Sequence, residues 1–150
     1  MVENKLSSKI EGEEYLVLHE FAKKAKAKLS KETWDYLIGA AETETTFKRN
    51  RFALDSLAFR PRVLRDVENV DISTNLVGHS LRIPVILAPI GSMQDFVEGA
   101  GVAPTIAASE FGILHMISST CMPGLEEVAK SVNYPKLFQL YVRGNKNWVD

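Results

Sequence analysis

The chain has 150 residues, of which 45% are hydrophobic and 25% charged, and its formal net charge is -1 at pH 7. These values are typical of a globular domain with an apolar core, and they argue against a disordered chain and against a dedicated nucleic-acid-binding protein, which would be basic. The single cysteine excludes a disulfide framework, and no stretch has the pattern of a signal peptide or a membrane span, so we expect a cytoplasmic protein without nucleic-acid or membrane partners.

Residues 1–58 are predicted to form a helical segment with three helices. Apolar residues recur at helical spacing within 14–29, and Ser30 is a suitable N-cap for a second helix. A third helix is predicted from Glu44 to about Asp55. The lysines between positions 23 and 28 could belong to a membrane or nucleic-acid surface, but Glu20 and the acidic residues before it neutralise them, which favours an ordinary solvated face.

Residues 59–84 are predicted to be extended and to include a β-hairpin outside the main sheet. Pro61 prevents a helix at the start of this segment. Two runs with the composition of strands, 70–76 and 80–83, flank Val77-Gly78-His79, which is typical of a short hairpin connection.

Strands and helices alternate over residues 85–150. The first strand, Val85 to Ala88, is apolar on both faces, which is typical of a parallel sheet covered on both sides. The other predicted elements are, in chain order, a helix over 101–111 ended by Gly112, a strand over 113–119, a helix opened by Pro123 and running to about 131, a strand over 136–142, and the start of a helix at Asn145.

This order of elements predicts an α/β fold in which right-handed crossovers join three parallel strands. Three strands cannot close a (β/α)₈ barrel, which needs eight strands and about 250 residues, and open doubly wound sheets also usually have more strands. We therefore expect residues 85–150 to be the first part of a larger α/β unit and the sequence to end within the fold.

Three groups of residues follow the predicted strands, at the edge of the sheet where α/β folds bind ligands. A glycine there admits a flat ligand close to the backbone, and hydroxyl, amide and phenol groups suit an uncharged, hydrogen-bonding ring such as a flavin. Ordinary polar residues next to loops explain the same pattern equally well. The groups are Pro89-Ile90-Gly91-Ser92, Ser118-Ser119-Thr120-Cys121, and Gln139 with Tyr141.

Other candidate sites have weaker support. The segment Gly99-Ala100-Gly101 lacks the third glycine of a dinucleotide-binding motif and is interpreted as a flexible loop. The three histidines and Cys121 do not have the spacing of metal ligands, so we expect no metal site, and His115 within a strand is interpreted as a packed residue. The sequence shows no activating base for Cys121.

Several segments together resemble the FMN-dependent α-hydroxy-acid oxidases and dehydrogenases, the family of glycolate oxidase and lactate oxidase. The resemblance extends from about Phe21 to the end of the chain. It implies the N-terminal portion of a (β/α)₈ barrel preceded by a helical segment, with residues 59–84 capping the barrel, and FMN-dependent oxidation of a 2-hydroxy acid to a 2-oxo acid. The segments are Asp35-Tyr36, Phe59-Arg60-Pro61-Arg62, Leu87-Ala88-Pro89-Ile90, Ser109-Glu110-Phe111-Gly112, Ser118-Ser119, Glu126-Glu127-Val128-Ala129 and Phe138-Gln139-Leu140-Tyr141.

For the cofactor, the resemblance implies contacts from five residues. Pro89, Ile90 and Gly91 correspond to the backbone segment beside the flavin ring, where an amide can reach flavin N5. Ser118 and Gln139 correspond to side chains that contact the flavin. FMN would perform the redox chemistry, and the protein would orient and tune it.

For the substrate, Tyr36 corresponds to the tyrosine that binds the carboxylate, and Tyr141 to the catalytic tyrosine whose hydroxyl meets the α-oxygen. Thr120 stands where many relatives carry a large aromatic residue that lines the substrate pocket. The family's histidine base and substrate-binding arginine correspond to no residue here, so we expect the chain alone to be inactive and the complete enzyme to be a homo-oligomer. Residues 97–101 also depart from the family's His-Pro-x-Gly-Glu pattern, which leaves the substrate and the electron acceptor open.

Two alternatives to an ordinary hydroxy-acid oxidase remain. A half-barrel exposes strand edges and an apolar face, so the chain could be a non-catalytic binding or self-assembly module. A relative could also use the same flavin barrel for a different reaction.

Overall fold

The computed structural model describes residues 15–149. The chain divides into two compact units, Met1–Ala58 and Phe59–Asp150. Among residues 15–149, no helix combines the length and apolar character needed to cross a membrane.

The first unit contains the three predicted helices: α1 (Leu18–Lys28), α2 (Lys31–Ile38) and α3 (Thr45–Asp55). The N-cap prediction is confirmed, since Ser30 Oγ accepts a hydrogen bond from the Thr33 backbone amide at 3.2 Å. The first helix begins at Leu18 and not at the predicted Glu14, because residues 15–17 are described and are not helical; Glu14 itself lies outside the described residues.

The second unit begins with the predicted hairpin, which consists of the antiparallel strands β1 (Thr74–Leu76) and β2 (His79–Leu81). The turn has two residues, Val77 and Gly78, whose φ angles of 51° and 78° are both positive, as in a type I′ turn. His79 therefore belongs to the second strand, where it is opposite Leu76. Leu81 is buried, which ties the hairpin to the rest of this unit.

Three parallel strands form the main sheet, in the order β3 (Ile86–Leu87), β4 (Leu114–Ser118) and β5 (Leu137–Gln139). The helices α4 (Val102–Phe111), α5 (Leu125–Ser131) and α6 (Lys146–Val149) alternate with them, and a short 3₁₀ turn covers Met93–Asp95. The predicted βαβαβ order is confirmed. The register places Ile86 opposite Leu114 on one side of β4 and Gln139 opposite Ser118 on the other.

Strand β4 is the centre of the apolar core of this unit. Leu114 and Ile117 on β4 are buried, as are Ala108 on α4 and Val128 on α5. Helix α4 ends at Gly112, whose φ of 84° is the left-handed conformation predicted for that position. This packing fixes the end of β4, and with it the position of Ser118.

Several element boundaries were predicted wrongly. The first hairpin strand, predicted over 70–76, spans only Thr74–Leu76. Pro123 does not open the helix that follows it, because Gly124, with a φ of 108°, lies between Pro123 and the helix start at Leu125. The strand predicted over 136–142 ends at Gln139, so Tyr141 lies beyond the strand and not within it. The edge strands β3 and β5 each pair on one side only among the described residues, which shortens both.

Candidate functional site

The hydroxyl of Ser118 is the centre of a polar cluster at the carboxyl end of β4. It lies 3.0 Å from Gln139 Oε1 on β5 and 3.0 Å from Thr120 Oγ1. The backbone amide of Thr120 also donates to Ser118 Oγ, at 3.3 Å. Ser118 is buried, while Thr120 and Gln139 are half-buried. The cluster is therefore partly open to solvent and is not sealed in the core.

The hydrogen bonds within this cluster leave the amide nitrogen of Gln139 available. The single proton of Ser118 is donated to Gln139 Oε1, so the Thr120 hydroxyl donates to Ser118. The Gln139 NH₂ group, with two donors, then makes no hydrogen bond within the part of the chain that the structure describes. The cluster contains no charged side chain. It therefore offers neutral hydrogen-bond donors to a ligand that carries carbonyl or ring-nitrogen acceptors.

Gly91 follows β3 and lies directly against this cluster. A Cβ atom at position 91 would lie 2.4 Å from Thr120 Oγ1 and 3.7 Å from Ser118 Oγ. The next residue, Ser92, donates its backbone amide to the Thr120 carbonyl at 3.2 Å. The ends of β3 and β4 are thus in contact, and only glycine fits at position 91 without displacing Thr120.

The remaining predicted site residues of the second unit, Pro89, Ile90 and Tyr141, are close in the chain to members of this cluster. Tyr141 is 54% exposed, and its backbone amide donates to Ser119 Oγ at 3.3 Å. Pro89 is half-buried, and Ile90 has 49% of its surface exposed. The structure therefore brings together Gly91, Ser118, Thr120 and Gln139, and holds the Tyr141 backbone beside them. Tyr36 is in the first unit, on α2, and is 73% exposed.

Gln94 supports the site through a hydrogen bond that the sequence did not predict. Its Oε1 atom accepts a hydrogen bond from the Met122 backbone amide at 3.0 Å, which joins the segment after β3 to the β4–α5 connection, residues 119–124. A lone glutamine in a loop carries no sequence pattern that predicts such a contact, because the partner is 28 residues away.

His115 lies on the face of β4 that packs against α4. It is 3% exposed, and its Nδ1 atom lies 2.8 Å from Thr105 Oγ1, whose hydroxyl donates to the Gly101 carbonyl at 2.8 Å. The interpretation of His115 as a packed residue is confirmed. Burial lowers the pKa of His115 below the ordinary value of 6.5, because the charged imidazolium would lose its hydration there.

Gly101 and Cys121 form a buried contact near this network. Gly101 immediately precedes α4 in a turn, as the loop interpretation predicts, but it is buried and donates its amide to the Met122 carbonyl at 3.2 Å. Burial raises the pKa of the Cys121 thiol, which disfavours a reactive thiolate. Among residues 15–149, no group of acidic, histidine and cysteine side chains could hold a metal ion.

The lowered pKa of His115 predicts a loss of stability in mild acid. Below its ordinary pKa of 6.5, the unfolded protein gains a proton on His115 that the folded protein does not, so the free energy of unfolding falls as the pH drops through this value. We expect urea unfolding between pH 7.5 and 5 to show a shallower pH dependence in His115→Asn, whose side chain does not titrate. Equal slopes in both proteins would contradict the prediction.

Comparison with known proteins identifies the family. Residues 25–150 match the profile of the FMN-dependent dehydrogenases. The chain belongs to this family. A peroxisomal (S)-2-hydroxy-acid oxidase from Oryza sativa subsp. indica is 39% identical over 132 residues, which are 87% of this chain and 36% of the relative. Glycolate oxidase from Spinacia oleracea is 37% identical over 133 residues, 88% of this chain and 36% of that enzyme.

Solved structures agree with the family and the fold. A mandelate oxidase bound to 3,3-difluoro-2-hydroxy-3-phenylpropionic acid superimposes with a TM-score of 0.82 at 30% identity, covering 89% of this chain and 40% of that chain. A soluble mutant of the membrane-associated (S)-mandelate dehydrogenase from Pseudomonas putida gives 0.78 at 29% identity, covering 83% and 36%. The chain thus spans about a third of the length of these relatives. The predicted family and the predicted partial (β/α)₈ barrel are both confirmed.

FMN is the cofactor of the FMN-dependent dehydrogenases, and the cluster around Ser118 has the chemistry to receive it. The flavin ring is flat, uncharged in its oxidised form and rich in hydrogen-bond acceptors. The Gln139 NH₂ group supplies free donors, and the missing side chain at Gly91 lets a flat ring approach the backbone at the end of β3. The residues present therefore fit this group.

Proposed function

We propose that this protein supplies the flavin-binding side of an FMN-dependent enzyme that oxidises a 2-hydroxy acid to a 2-oxo acid. The observation that carries the proposal is the contact of Gly91, Ser118, Thr120 and Gln139 at the carboxyl ends of three adjacent parallel strands. In (β/α)₈ barrels this edge holds the active site. The relatives named as (S)-2-hydroxy-acid, glycolate and mandelate oxidases support this substrate class.

The five residues assigned to FMN have separate roles in this proposal. Gln139 donates its amide hydrogens to a polar atom of the flavin ring, and Ser118 fixes the orientation of that amide through the 3.0 Å hydrogen bond. Pro89, Ile90 and Gly91 present backbone to the edge of the ring. When bound, FMN accepts the electrons removed from the substrate.

The residues assigned to the substrate are Tyr36, Thr120 and Tyr141. We propose that the Tyr141 hydroxyl meets the α-oxygen, that Tyr36 binds the carboxylate, and that Thr120 borders the side group. Thr120 Oγ1 is held 3.0 Å from Ser118 Oγ, so its hydroxyl is directed toward the cluster. A threonine occupies less space than an aromatic ring, which favours a 2-hydroxy acid with a side group larger than that of glycolate.

The test is a titration of the purified protein with FMN, followed by fluorescence quenching. Saturable binding is expected, about tenfold weaker in Ser118→Ala, because loss of the central hydroxyl leaves Gln139 without its partner. Ser131→Ala is the matched control, since that hydroxyl bonds only to the Val128 carbonyl within α5. Binding that is absent, or equal in wild type and Ser118→Ala, would overturn the proposal.

The same sample tests the role of the family's base. The histidine base and the substrate-binding arginine correspond to no residue among these 150, so we expect anaerobic addition of lactate, glycolate or mandelate to leave the visible absorbance of bound FMN unchanged. Bleaching of that absorbance would show that this chain alone carries out the reaction, and the assignment of the base outside it would then be wrong.

A second candidate function is a non-catalytic assembly module. An apolar groove beside the edge strand β3 favours it, and the groove is lined by Leu87, Ala107, Ala108, Glu110, Phe111 and Ile113. Strand edges and apolar surface of this kind promote association. Size-exclusion chromatography with light scattering discriminates between the two functions. A monomer that binds FMN supports the flavin-binding role, and an FMN-free oligomer supports the assembly module.

A further inference from the structure

The peptide groups of Gly101 connect two parts of the second unit that the proposed cofactor site does not include. The Gly101 carbonyl accepts the Thr105 hydroxyl at 2.8 Å, and Thr105 Oγ1 is 2.8 Å from His115 Nδ1. The Gly101 amide donates to the Met122 carbonyl at 3.2 Å. A continuous path of hydrogen bonds therefore runs from the core face of β4 to the β4–α5 connection.

The geometry fixes the direction of each hydrogen bond in this path. A carbonyl cannot donate, so the Thr105 proton must point to Gly101, and two oxygen atoms 2.8 Å apart would otherwise repel. His115 Nδ1 must then carry the proton that is donated to Thr105. The neutral His115 ring is thus held in the tautomer protonated at Nδ1.

The β4–α5 connection is the segment that holds Thr120 against Gly91. The contacts that hold it include Gly101 to Met122, Gln94 to Met122 and Ser92 to Thr120, besides those of Ser119 with Gln139 and Tyr141. Gly101 is also packed closely, since a Cβ there would lie 3.0 Å from Cys121 Sγ. A displacement at Gly101 is therefore transmitted to the cluster around Ser118.

We propose that His115 and Thr105 are positioning residues that hold the β4–α5 connection, and with it Thr120, in the place the flavin site requires. His115 cannot act on the cofactor directly, because side chains alternate along β4 and Ser118, three positions later, is on the opposite face. The effect on FMN rests on the proposed function. The effect on the connection itself does not.

Two matched pairs of variants test the inference. Thr105→Val removes the hydroxyl and keeps the shape, while Thr105→Ser keeps the hydroxyl. His115→Leu removes the donor, while His115→Asn keeps an amide donor near the position of Nδ1. The readouts are FMN affinity and hydrogen exchange of the Gly101 and Ser92 amides, with the Arg82 amide, which donates to the Gly112 carbonyl outside the β4–α5 connection, as internal reference.

We expect Thr105→Val and His115→Leu to weaken FMN binding and to speed exchange at Gly101 and Ser92 by about fivefold each, with exchange at Arg82 unchanged. Thr105→Ser and His115→Asn should stay within about twofold of wild type. Because both residues act through one path, the double variant should be no worse than the worse single variant. Nitrogen-15 shifts of the imidazole should report the tautomer protonated at Nδ1.

Two results would overturn the inference. One is a Thr105→Val protein with lowered thermal stability but wild-type exchange at Ser92, since that describes a purely structural hydrogen bond. The other is an imidazole protonated at Nε2. If wild type fails to bind FMN, the proposed function fails, and the exchange rates at Ser92 still decide the positioning role. Should His115→Leu not fold, the two Thr105 variants carry the comparison.

Discussion

Gly91→Ala is expected to weaken FMN binding by at least about fivefold. The added Cβ would lie 2.4 Å from Thr120 Oγ1, far inside van der Waals contact, so Thr120 must rotate away. That rotation breaks the 3.0 Å hydrogen bond between Thr120 and Ser118 and disturbs the hydroxyl that orients Gln139. Overpacking of this kind costs about 1–3 kcal/mol, which corresponds to roughly a fivefold to hundredfold change in affinity.

The double variant Gly91→Ala/Thr120→Ala distinguishes two effects on FMN affinity: the steric overlap of the new Cβ with Thr120 Oγ1, and the loss of glycine at position 91. Without Oγ1, the nearest Thr120 atom to the new Cβ is the Thr120 Cβ at 3.6 Å, an ordinary contact. The double variant should therefore bind FMN more tightly than Gly91→Ala alone. The measurement is the same fluorescence titration for all three proteins. Wild-type affinity in Gly91→Ala would show that the backbone at position 91 does not face the ligand.

The helices and the order of the strands could be predicted because their patterns are local. Ser30 is a favoured N-cap residue, and Gly112 is the residue that adopts a left-handed φ most easily, so both ends were placed correctly. A short connection around Gly78 was also predicted, but it has two residues and not three, because His79 belongs to β2. These features depend on neighbours within a few residues, which a single sequence displays directly.

The boundaries of the edge strands could not be predicted in the same way. Apolar residues continue past the end of β5 to Leu140 and Val142, but β5 pairs only with β4 among the described residues, and its ladder stops at Gln139. The apolar pattern records which residues favour a strand. It does not record how far a neighbouring strand extends, and that neighbour decides where pairing ends.

The candidate site was predictable in composition but not in connectivity. The rule that ligands gather at strand ends selected Gly91, Ser118 and Gln139, and the structure brings them into one cluster. The same rule gave no role to Gln94, Thr105 or Gly101, because their partners are distant in sequence or on the opposite face of β4. Gly101 in particular was interpreted as flexible on account of its residue type, whereas its contacts with Met122 and Cys121 hold it in the core.

Thr120 makes both a backbone and a side-chain hydrogen bond at this site. Its carbonyl accepts the Ser92 amide and its hydroxyl bonds to Ser118, so one residue couples the segment after β3 to the cluster that ends β4 and β5. A substitution at position 120 should therefore disturb the cluster around Ser118, and with it the substrate side group that we propose Thr120 borders. Changes in substrate preference at this position are best interpreted together with FMN affinity.

Gln139→Glu is expected to reduce FMN affinity at pH 7.5 by more than about tenfold. The carboxylate is nearly the same shape and still accepts the Ser118 proton, so the cluster stays assembled. It replaces two outward donors with a negative acceptor, which repels the carbonyl and ring-nitrogen acceptors of the flavin. An unpaired polar group costs about 1–3 kcal/mol, and the added charge raises this cost.

Two further measurements identify the cause of that loss. Gln139→Leu removes the donors without adding charge and should bind more tightly than Gln139→Glu but less tightly than wild type. Lowering the pH toward 5 protonates a growing fraction of the glutamate, which regains one donor, so the affinity of Gln139→Glu relative to wild type at the same pH should recover while that of Gln139→Leu should not. Recovery in both variants, or in neither, would mean that the Gln139 amide does not donate to the cofactor.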